Sequence, residues 1–558
     1  MCEKIKKIPK IFWLFLLVLL IGSTGILYNW WPGNIGDEGG IIDITLRVFR
    51  DFSLSGKYAF RLPITILLYF PFAALTAAAY LIFGIGNFGQ LKEMAIINSY
   101  KFLPYFRFAN IIFGLITVYF FYKICLIVFK RQRPALIGAY LLASSLLFIQ
   151  SIHMALAWMQ QTMLIVIAIY YYLTLLDKKK ISTFNYIISA LLVVLSFGIE
   201  IVGLIVIVPF FLIYWRKRKE GAVRNEFFNL SLFFLIIIFG FALLIYANPT
   251  AFSVYLSLLL KSEKSGLGVT IYGQGITDRI FGFLKILSSF EPLLFLLAIL
   301  GAIIAFKKEK FYFILFSSYF LIYYIVLGPI FGGVKEIRIF PLAPALAFFA
   351  ALFIEFILDK YSNAAASKIL YAALLIFMIN PLIYDRFFLG KSSWIEASGW
   401  ILKNIPVGSS ILDKCWLGIN ENRAVLNFIR EKTPYLFTTK RAYLLEHPYI
   451  IDSSKNYFVI MEKDIAEKIG MDKFQYLVLC YSANSEGKIS EKEKWAAADY
   501  FRDRKKIKIY DSLAGHPLFK YFWFGHLANY SNWAKSGLFG LFNNVPYYGP
   551  HIEIYKLK

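Results

Sequence analysis

Apolar runs about as long as a bilayer is thick recur through the first 384 residues, and every second one is closed by a cluster of lysine and arginine. A hydrocarbon core of about 30 Å takes about 20 residues of helix to cross. No water meets the backbone inside it, so runs of this length cross as α-helices, whose hydrogen bonds are internal. The runs lie at residues 11–28, 104–129, 134–150, 158–176, 184–198, 201–215, 227–247, 286–306, 311–330, 340–358 and 370–384. Basic clusters follow them at Lys130, Arg131 and Arg133, at Lys178, Lys179 and Lys180, at Arg216, Lys217, Arg218 and Lys219, at Lys307, Lys308 and Lys310, and at Lys360 and Lys368. Short loops rich in such residues stay in the cytoplasm, which puts the N-terminus inside and the C-terminal region outside. The expected fold is an α-helical polytopic membrane protein of about 11 transmembrane helices.

One further apolar run, 63–84, has the length of a span, yet counting it would invert the side of every later basic cluster. The charge pattern therefore keeps it on the outer side as a re-entrant or interfacial segment. Lys4, Lys6, Lys7 and Lys10 ahead of the first run resemble the start of a signal peptide. No small-residue cleavage site follows, and the run reads as a retained first span. With the basic residues assigned to orientation, a formal net charge of +24 gives no reason to expect nucleic acid.

Residues 1–384 thus form the multi-spanning domain, and 385–558 have the composition of a soluble, extracytoplasmic domain. A helical pattern at 394–403 alternates with short β-prone runs at 456–461, 476–480, 507–510 and 552–555, which predicts a small α/β domain. Residues 519–548, with Trp523 and Trp533 among many aromatics, suit a surface resting on lipid or on the membrane domain. Asn529, Tyr530 and Ser531 form a glycosylation sequon. Cys415 and Cys480 would pair only in an oxidising compartment and otherwise read as two buried thiols. Cys2 and Cys125 fall toward the cytoplasmic side, and no Cys/His spacing suggests zinc.

Polar chemistry concentrates in the segment that leaves the first span, residues 30–58. Trp30 and Trp31 suit the headgroup layer, Pro32 and Gly33 end the helix, and Asp37 and Glu38 follow between Gly36 and Gly39. Beyond them Ile41, Ile42, Thr45, Leu46 and Phe49 share one helical face, and Asp43, Arg47, Arg50 and Asp51 the other. The spacing pairs Asp43 with Arg47 and Arg47 with Asp51, and predicts an amphipathic helix flat on the membrane. Adjacent carboxylates at headgroup height suit chemistry on a lipid-linked substrate. An Asp at a helix start is equally a good N-cap, so both readings of Asp37 stand at this point.

Asp37 and Glu38 follow the first span, then Gly56 and Tyr58, and Pro63 before an apolar external helix. Arg107, Asn110, Gly114 and Thr117 come next in the pattern R-x-x-N-x-x-x-G-x-x-T, then Lys335 and Arg338 ahead of F-P-L-A-P at 340–344, and the tail adds G-P-H-I-E-I-Y at 549–555. In this order the motifs resemble the GT-C membrane glycosyltransferases, in their branch of protein O-mannosyltransferases and aminoarabinose transferases (glycosyltransferase family 39). Two departures stand out. Relatives carry a further acid in the stretch that here runs 150–161 without Asp or Glu, where His153 and Gln160 stand instead, and Arg61 sits two positions ahead of Pro63.

The resemblance implies transfer of a sugar from a polyprenyl-phosphate donor to a protein, lipid or glycan acceptor at the outer membrane face. Phosphate leaves as a weak base, so one carboxylate suffices without a general acid. Asp37 would take the acceptor's hydroxyl proton as the oxygen attacks the anomeric carbon opposite the phosphate, with inversion. Glu38 would position the acceptor or share the proton. Arg338 and Lys335, then Arg61 and Arg107, would meet the lipid phosphate, because fixed positive charge at a water-poor boundary stabilises the leaving anion. For Arg107 and Arg338 the alternative is a long cationic side chain snorkelling to the interface. The scheme calls for no cofactor and leaves a divalent metal open. A transporter or lipid-linked-sugar flippase would instead place ionisable residues within its spans; Glu200, Glu291 and Glu355 are the main cases, and no internal repeat is visible.

Overall fold

The computed structural model describes residues 9–24, 36–51, 63–84, 86–223, 225–247, 291–325, 339–361, 364–378, 391–415, 417–433, 439–452, 455–461, 469–481, 505–510, 547–548 and 551–557, with residues 26, 249, 253, 281, 284, 287, 288, 382 and 466 between them. The chain falls into two compact units. One comprises Met1–Ile26, Gly40–Ala78 and Pro104–Asp385, the other Leu27–Gly39, Ala79–Leu103 and Arg386–Lys558.

Up to residue 378 the chain is helical: α1 (Lys10–Thr24), α2 (Gly36–Asp51), α3 (Pro63–Phe83), α4 (Phe88–Ile97), α5 (Leu103–Phe129), α6 (Gln132–Ala143), α7 (Leu146–His153), α8 (Ala157–Thr174), α9 (Thr183–Phe197), α10 (Ile207–Lys219), α11 (Glu226–Ala247), α12 (Pro292–Lys308), α13 (Lys310–Ile325), α14 (Ala343–Lys360) and α15 (Ala364–Leu375). Among the described residues each expected apolar run overlaps helix, the helix of the last run beginning at Ala364 rather than 370. Among the described residues five helices are long and apolar enough to cross a membrane, or six when the bent pair α6–α7 counts as one span. α1, α9 and α13 are shorter apolar helices. The burial pattern matches lipid outside. α11 buries Asn229, Phe233, Ile237 and Leu244 along one stripe while Leu235, Ile238, Phe239 and Leu243 are exposed, an apolar face too large for a water-soluble monomer.

Contacts bring the basic clusters to one end of this unit. Ile181 bridges Val223, and Lys217 Nζ donates to the Leu176 carbonyl at 2.9 Å. The Arg216 guanidinium stacks over Phe311 at 4.5 Å, and Lys308 Nζ lies 4.7 Å from the Phe356 ring centre. Arg133 grips Glu355 with two bonds of 3.1 and 2.8 Å, and Arg131 grips Asp359 at 3.2 and 2.9 Å. α6 and α14 therefore run antiparallel from a shared ionic end, as their alternation in the sequence requires.

α3 is one of the five helices long and apolar enough to cross a membrane. Ile64 N donates to the Gly198 carbonyl, past the end of α9 farthest from Lys178–Lys180. Tyr80 packs on Phe102, just ahead of α5, which runs from there toward Lys130. The start of α3 thus lies away from the basic clusters. α2 departs from expectation in its surroundings. Its helical pattern is as read, with Asp43 and Arg47 paired at 2.7 Å, but Ile41, Ile42, Ile44, Thr45 and Leu46 are all at most 2% exposed. Protein covers the helix, so it does not lie flat on lipid. The Arg47–Asp51 pair falls outside the described side chains.

In the second unit, β1 (Lys391–Ser392) and β6 (Tyr547–Tyr548) pair in parallel. β2 (Ser410–Asp413), β3 (Phe458–Ile460), β4 (Tyr476–Tyr481), β5 (Lys505–Tyr510) and β7 (His551–Lys556) form a mixed sheet in the order β3-β2-β4-β7-β5. β2 is parallel to both β3 and β4, whereas β7 is antiparallel to β4 and β5. α16 (Ser393–Asn404) lays Trp394, Ala397 and Ile401 on one face of the sheet, and α17 (Arg423–Lys432) lays Val425 and Ile429 on the other. Cys415 is disulfide-bonded, which corrects the reading of it as a buried thiol. Residues 519–546, including Trp523, Trp533 and the Asn529 sequon, lie outside the described residues.

Candidate active site

At the end of the helices away from the basic clusters, polar side chains turn inward and form a belt. It begins where α1 ends. Arg107, in the second turn of α5, is 2% exposed and donates to the Ile26 carbonyl at 3.4 Å. That burial sets aside snorkelling, which would carry the guanidinium to water. His153, the last residue of α7, has Nδ1 2.7 Å from the Ile149 carbonyl and Nε2 3.1 Å from that of Ile21, with Thr24 Oγ1 at 3.4 Å. The imidazole is a strut between α7 and the end of α1.

Asn110, one turn beyond Arg107, sits at the middle of the belt. Its Oδ1 accepts from the Tyr69 hydroxyl at 2.6 Å, and its Nδ2 faces the carbonyls of Ser151 and Leu156 at 3.3 Å and that of Met154. These carbonyls flank the break between α7 and α8, where helix hydrogen bonding lapses and acceptors need outside donors. One turn before Tyr69, Thr65 Oγ1 donates to the Ile199 carbonyl, and Gln160 Nε2 reaches the Thr65 carbonyl, both at 3.5 Å. Glu200 then heads a 3₁₀ turn, Ile201–Val206, and is 5% exposed.

The remaining acids in the apolar region are structural. Glu291 accepts from Leu147 N at 3.0 Å, capping α7 from across the fold, at the point where α6 and α7 bend by 58°. Glu355 is held by Arg133 and Arg131 at the basic end.

The expected catalytic pair sits at the start of α2. The helix begins at Gly36, so Asp37 lies within its first turn rather than capping it, and Glu38, its side chain half-buried, follows. Arg61, Lys335 and Arg338 lie outside the described residues, as does the side chain of Asp37. Arg107 is thus the one proposed phosphate ligand the structure places. Among the described residues no group of His, Cys, Asp and Glu could hold a metal ion. Sequence reasoning gave no role to Asn110, Tyr69 or Gln161. The R-x-x-N pattern was the available signal for the first; nothing in the sequence singled out the others.

No protein-family model and no curated protein matches the chain. Among solved structures it is similar to the apo oligosaccharyltransferase of Archaeoglobus fulgidus, at 13% identity and TM-score 0.49 over 98% of this chain and 89% of that one. ArnT from Cupriavidus metallidurans, bound to undecaprenyl phosphate, aligns at 13% identity and TM-score 0.46 over 79% of this chain and 78% of its own. The Archaeoglobus fulgidus oligosaccharyltransferase AglB, in complex with an inhibitory peptide and a dolichol-phosphate, aligns at 13% identity and TM-score 0.47 over 90% and 73%. At these scores the likeness carries no residue's role over to this chain.

Proposed function

We propose that the protein is a polytopic membrane glycosyltransferase that moves a sugar from a polyprenyl-phosphate donor to an acceptor hydroxyl at the outer membrane face. The observation that carries this is the buried Arg107, whose guanidinium is held to the Ile26 carbonyl within an apolar helical bundle. A guanidinium in an apolar bundle is retained for work on an anion or for a structural bond, and a lipid phosphate is the anion a membrane supplies.

In the step, the acceptor oxygen attacks the anomeric carbon and its proton passes to the Asp37 carboxylate. The bond from that carbon to phosphate oxygen breaks on the opposite face, so the configuration inverts. Arg338, Lys335, Arg61 and Arg107 meet the departing phosphate, and no cofactor enters. The basic ends of the helices are cytoplasmic in this scheme and residues 385–558 extracytoplasmic, which the Cys415 disulfide supports because such bonds persist in oxidising compartments. Of the three acids that a flippase would call on, Glu291 and Glu355 are engaged in a helix cap and an ion pair.

The test incubates membranes with labelled polyprenyl-phospho-sugars and follows label into the acceptor. Asp37→Asn should lower transfer by about 10²–10⁴-fold, the usual worth of general-base catalysis, with thermal stability close to wild type because Asn keeps the size and shape of the side chain. Full transfer by Asp37→Asn would strip the carboxylate of its role.

A further inference from the structure

Three basic loops far apart in sequence meet at one end of the membrane unit. Residues 177–180, 216–220 and 307–310 carry ten basic and three acidic side chains. They are neighbours because Lys217 Nζ donates to the Leu176 carbonyl at 2.9 Å, Ile181 bridges Val223, and the Arg216 guanidinium lies 4.5 Å from the Phe311 ring centre. Most acids of this end are spent within the protein. Glu220 takes Lys217 at 2.7 Å and Arg216 at 3.5 Å, Glu226 takes Arg218 at 3.0 Å, and Glu355 and Asp359 hold Arg131 and Arg133. Lys178 donates to Asn185 Oδ1 at 2.6 Å. Six lysines remain, Lys179, Lys180, Lys219, Lys307, Lys308 and Lys310, all exposed and without an ion pair among the described residues, against the exposed Asp177 and Glu309.

Large aromatic side chains lie open beside these cations, at the points where apolar helices meet the basic loops. Phe184, Trp215, Phe227, Phe228 and Phe306 are 55% to 87% exposed. Lys219 Nζ lies 5.9 Å from the Trp215 ring centre and Lys308 Nζ 4.7 Å from that of Phe356, so ring faces hold charge close to the apolar rim. An acidic protein segment would meet the lysines and leave the aromatics in water. An anionic lipid meets both, with its phosphate among the lysines and its acyl chains against the rings. We propose that this end of the protein is a binding surface for anionic phospholipid in the leaflet beside it, whose headgroup phosphates lie among the lysines of the three loops. The inference stands apart from the transferase reading. It gives the basic clusters a ligand in addition to their part in orientation.

The experiment reconstitutes the full chain in phosphatidylcholine bilayers carrying a trace of spin-labelled phosphatidylglycerol or of spin-labelled phosphatidylcholine. Electron spin resonance then reads the fraction of each label held by the protein. Phosphatidylglycerol should be selected by about fivefold or more, the worth of a single lysine beside an anionic membrane surface. The preference should shrink in about 1 M salt, where charges are screened beyond about 3 Å. Lys179→Gln, Lys180→Gln and Lys219→Gln together should bring the two lipids toward equality. Lys307→Gln with Lys310→Gln, from the third loop, should lower selection in part and carries the test if the triple variant is not recovered. Taking three charges instead from exposed positions of the second unit, by Lys92→Gln, Lys403→Gln and Lys432→Gln, should leave selection unchanged. Equal uptake of the two lipids by the wild type would overturn the proposal and leave the face to an acidic protein partner. Unchanged selection in both loop variants would overturn it by placing the lipid elsewhere, and an equal loss in the second-unit variant would do so by reducing the effect to net charge.

Discussion

Replacing Asn110 by Ala should destabilise the membrane unit by about 2–4 kcal/mol, because two to three buried bonds are lost at about 1 kcal/mol each and stranded carbonyls add to the cost. Asn110 Nδ2 has two hydrogens for the carbonyls of Ser151, Met154 and Leu156, so at most two are served at once, while Oδ1 takes the Tyr69 hydroxyl at 2.6 Å. Tyr69→Phe should cost less, about 1 kcal/mol, since the rest of the ring still stacks on Phe106 at 4.9 Å. That hydroxyl also lies 3.4 Å from the Leu156 carbonyl, which softens its loss when Asn110 is removed. The two changes should therefore couple by about 0.6 kcal/mol, the mean for polar pairs within membranes, and by no more than about 1.7 kcal/mol. Reversible unfolding in mixed detergent micelles, run as a double-mutant cycle, gives both numbers. An Asn110→Ala protein within about 0.5 kcal/mol of wild type, or additive single changes, would refute the claim that this side chain holds the α7–α8 break.

Tags placed after Arg131, Lys179, Lys217 and Lys308 should report cytoplasm, and tags near Gly266, within residues 85–100 and after Ser392 should report the exterior; a cytoplasmic 85–100 segment would refute the placement of residues 63–84 on the outer side. Gly301→Ala should loosen α12 from α14 and lower the melting temperature, because its Cβ would fall 1.8 Å from the Phe349 carbonyl oxygen, and backbone cannot rotate aside as a side chain can. Cys415→Ser should change mobility on a non-reducing gel and cost the second unit about 2–5 kcal/mol; identical mobility with and without reductant in the wild type would show that the bond does not form in cells.

Much of this fold is written in local patterns. The four β-prone runs beyond residue 455 all became strands of one sheet, and the helical period at 394–403 became α16. β2 escaped notice for a physical reason. It lies between β3 and β4 and contributes Ile411 and Leu412 to opposite faces, both 0% exposed. A strand of four residues buried on both sides shows no alternation to read. α2 shows the complementary failure. Hydropathy identified its apolar face, but not whether lipid or protein would cover it, since both solvate Ile41 and Ile42 equally well.

The site was legible only where its residues are neighbours in sequence. In R-x-x-N-x-x-x-G-x-x-T the spacings of three and four put Arg107, Asn110, Gly114 and Thr117 on one face of α5. The structure gives that face a packing reason: a Cβ at Gly114 would lie 2.7 Å from Ile152 Cγ2, and the Thr117 hydroxyl folds back onto the Phe113 carbonyl. What Asn110 reaches is 41 to 46 residues away, beyond any local pattern. The stretch 150–161 misled in another way, because the search there was for a missing acid. Its polar members resolve into a strut at His153 and amides at Gln160 and Gln161, none of them suited to hold a proton taken from an acceptor. The proton in the proposed reaction has to go to a carboxylate: Glu291 and Glu355 are engaged in a helix cap and an ion pair and Glu200 heads a buried 3₁₀ turn, whereas the adjacent pair at the start of α2 opens a helix.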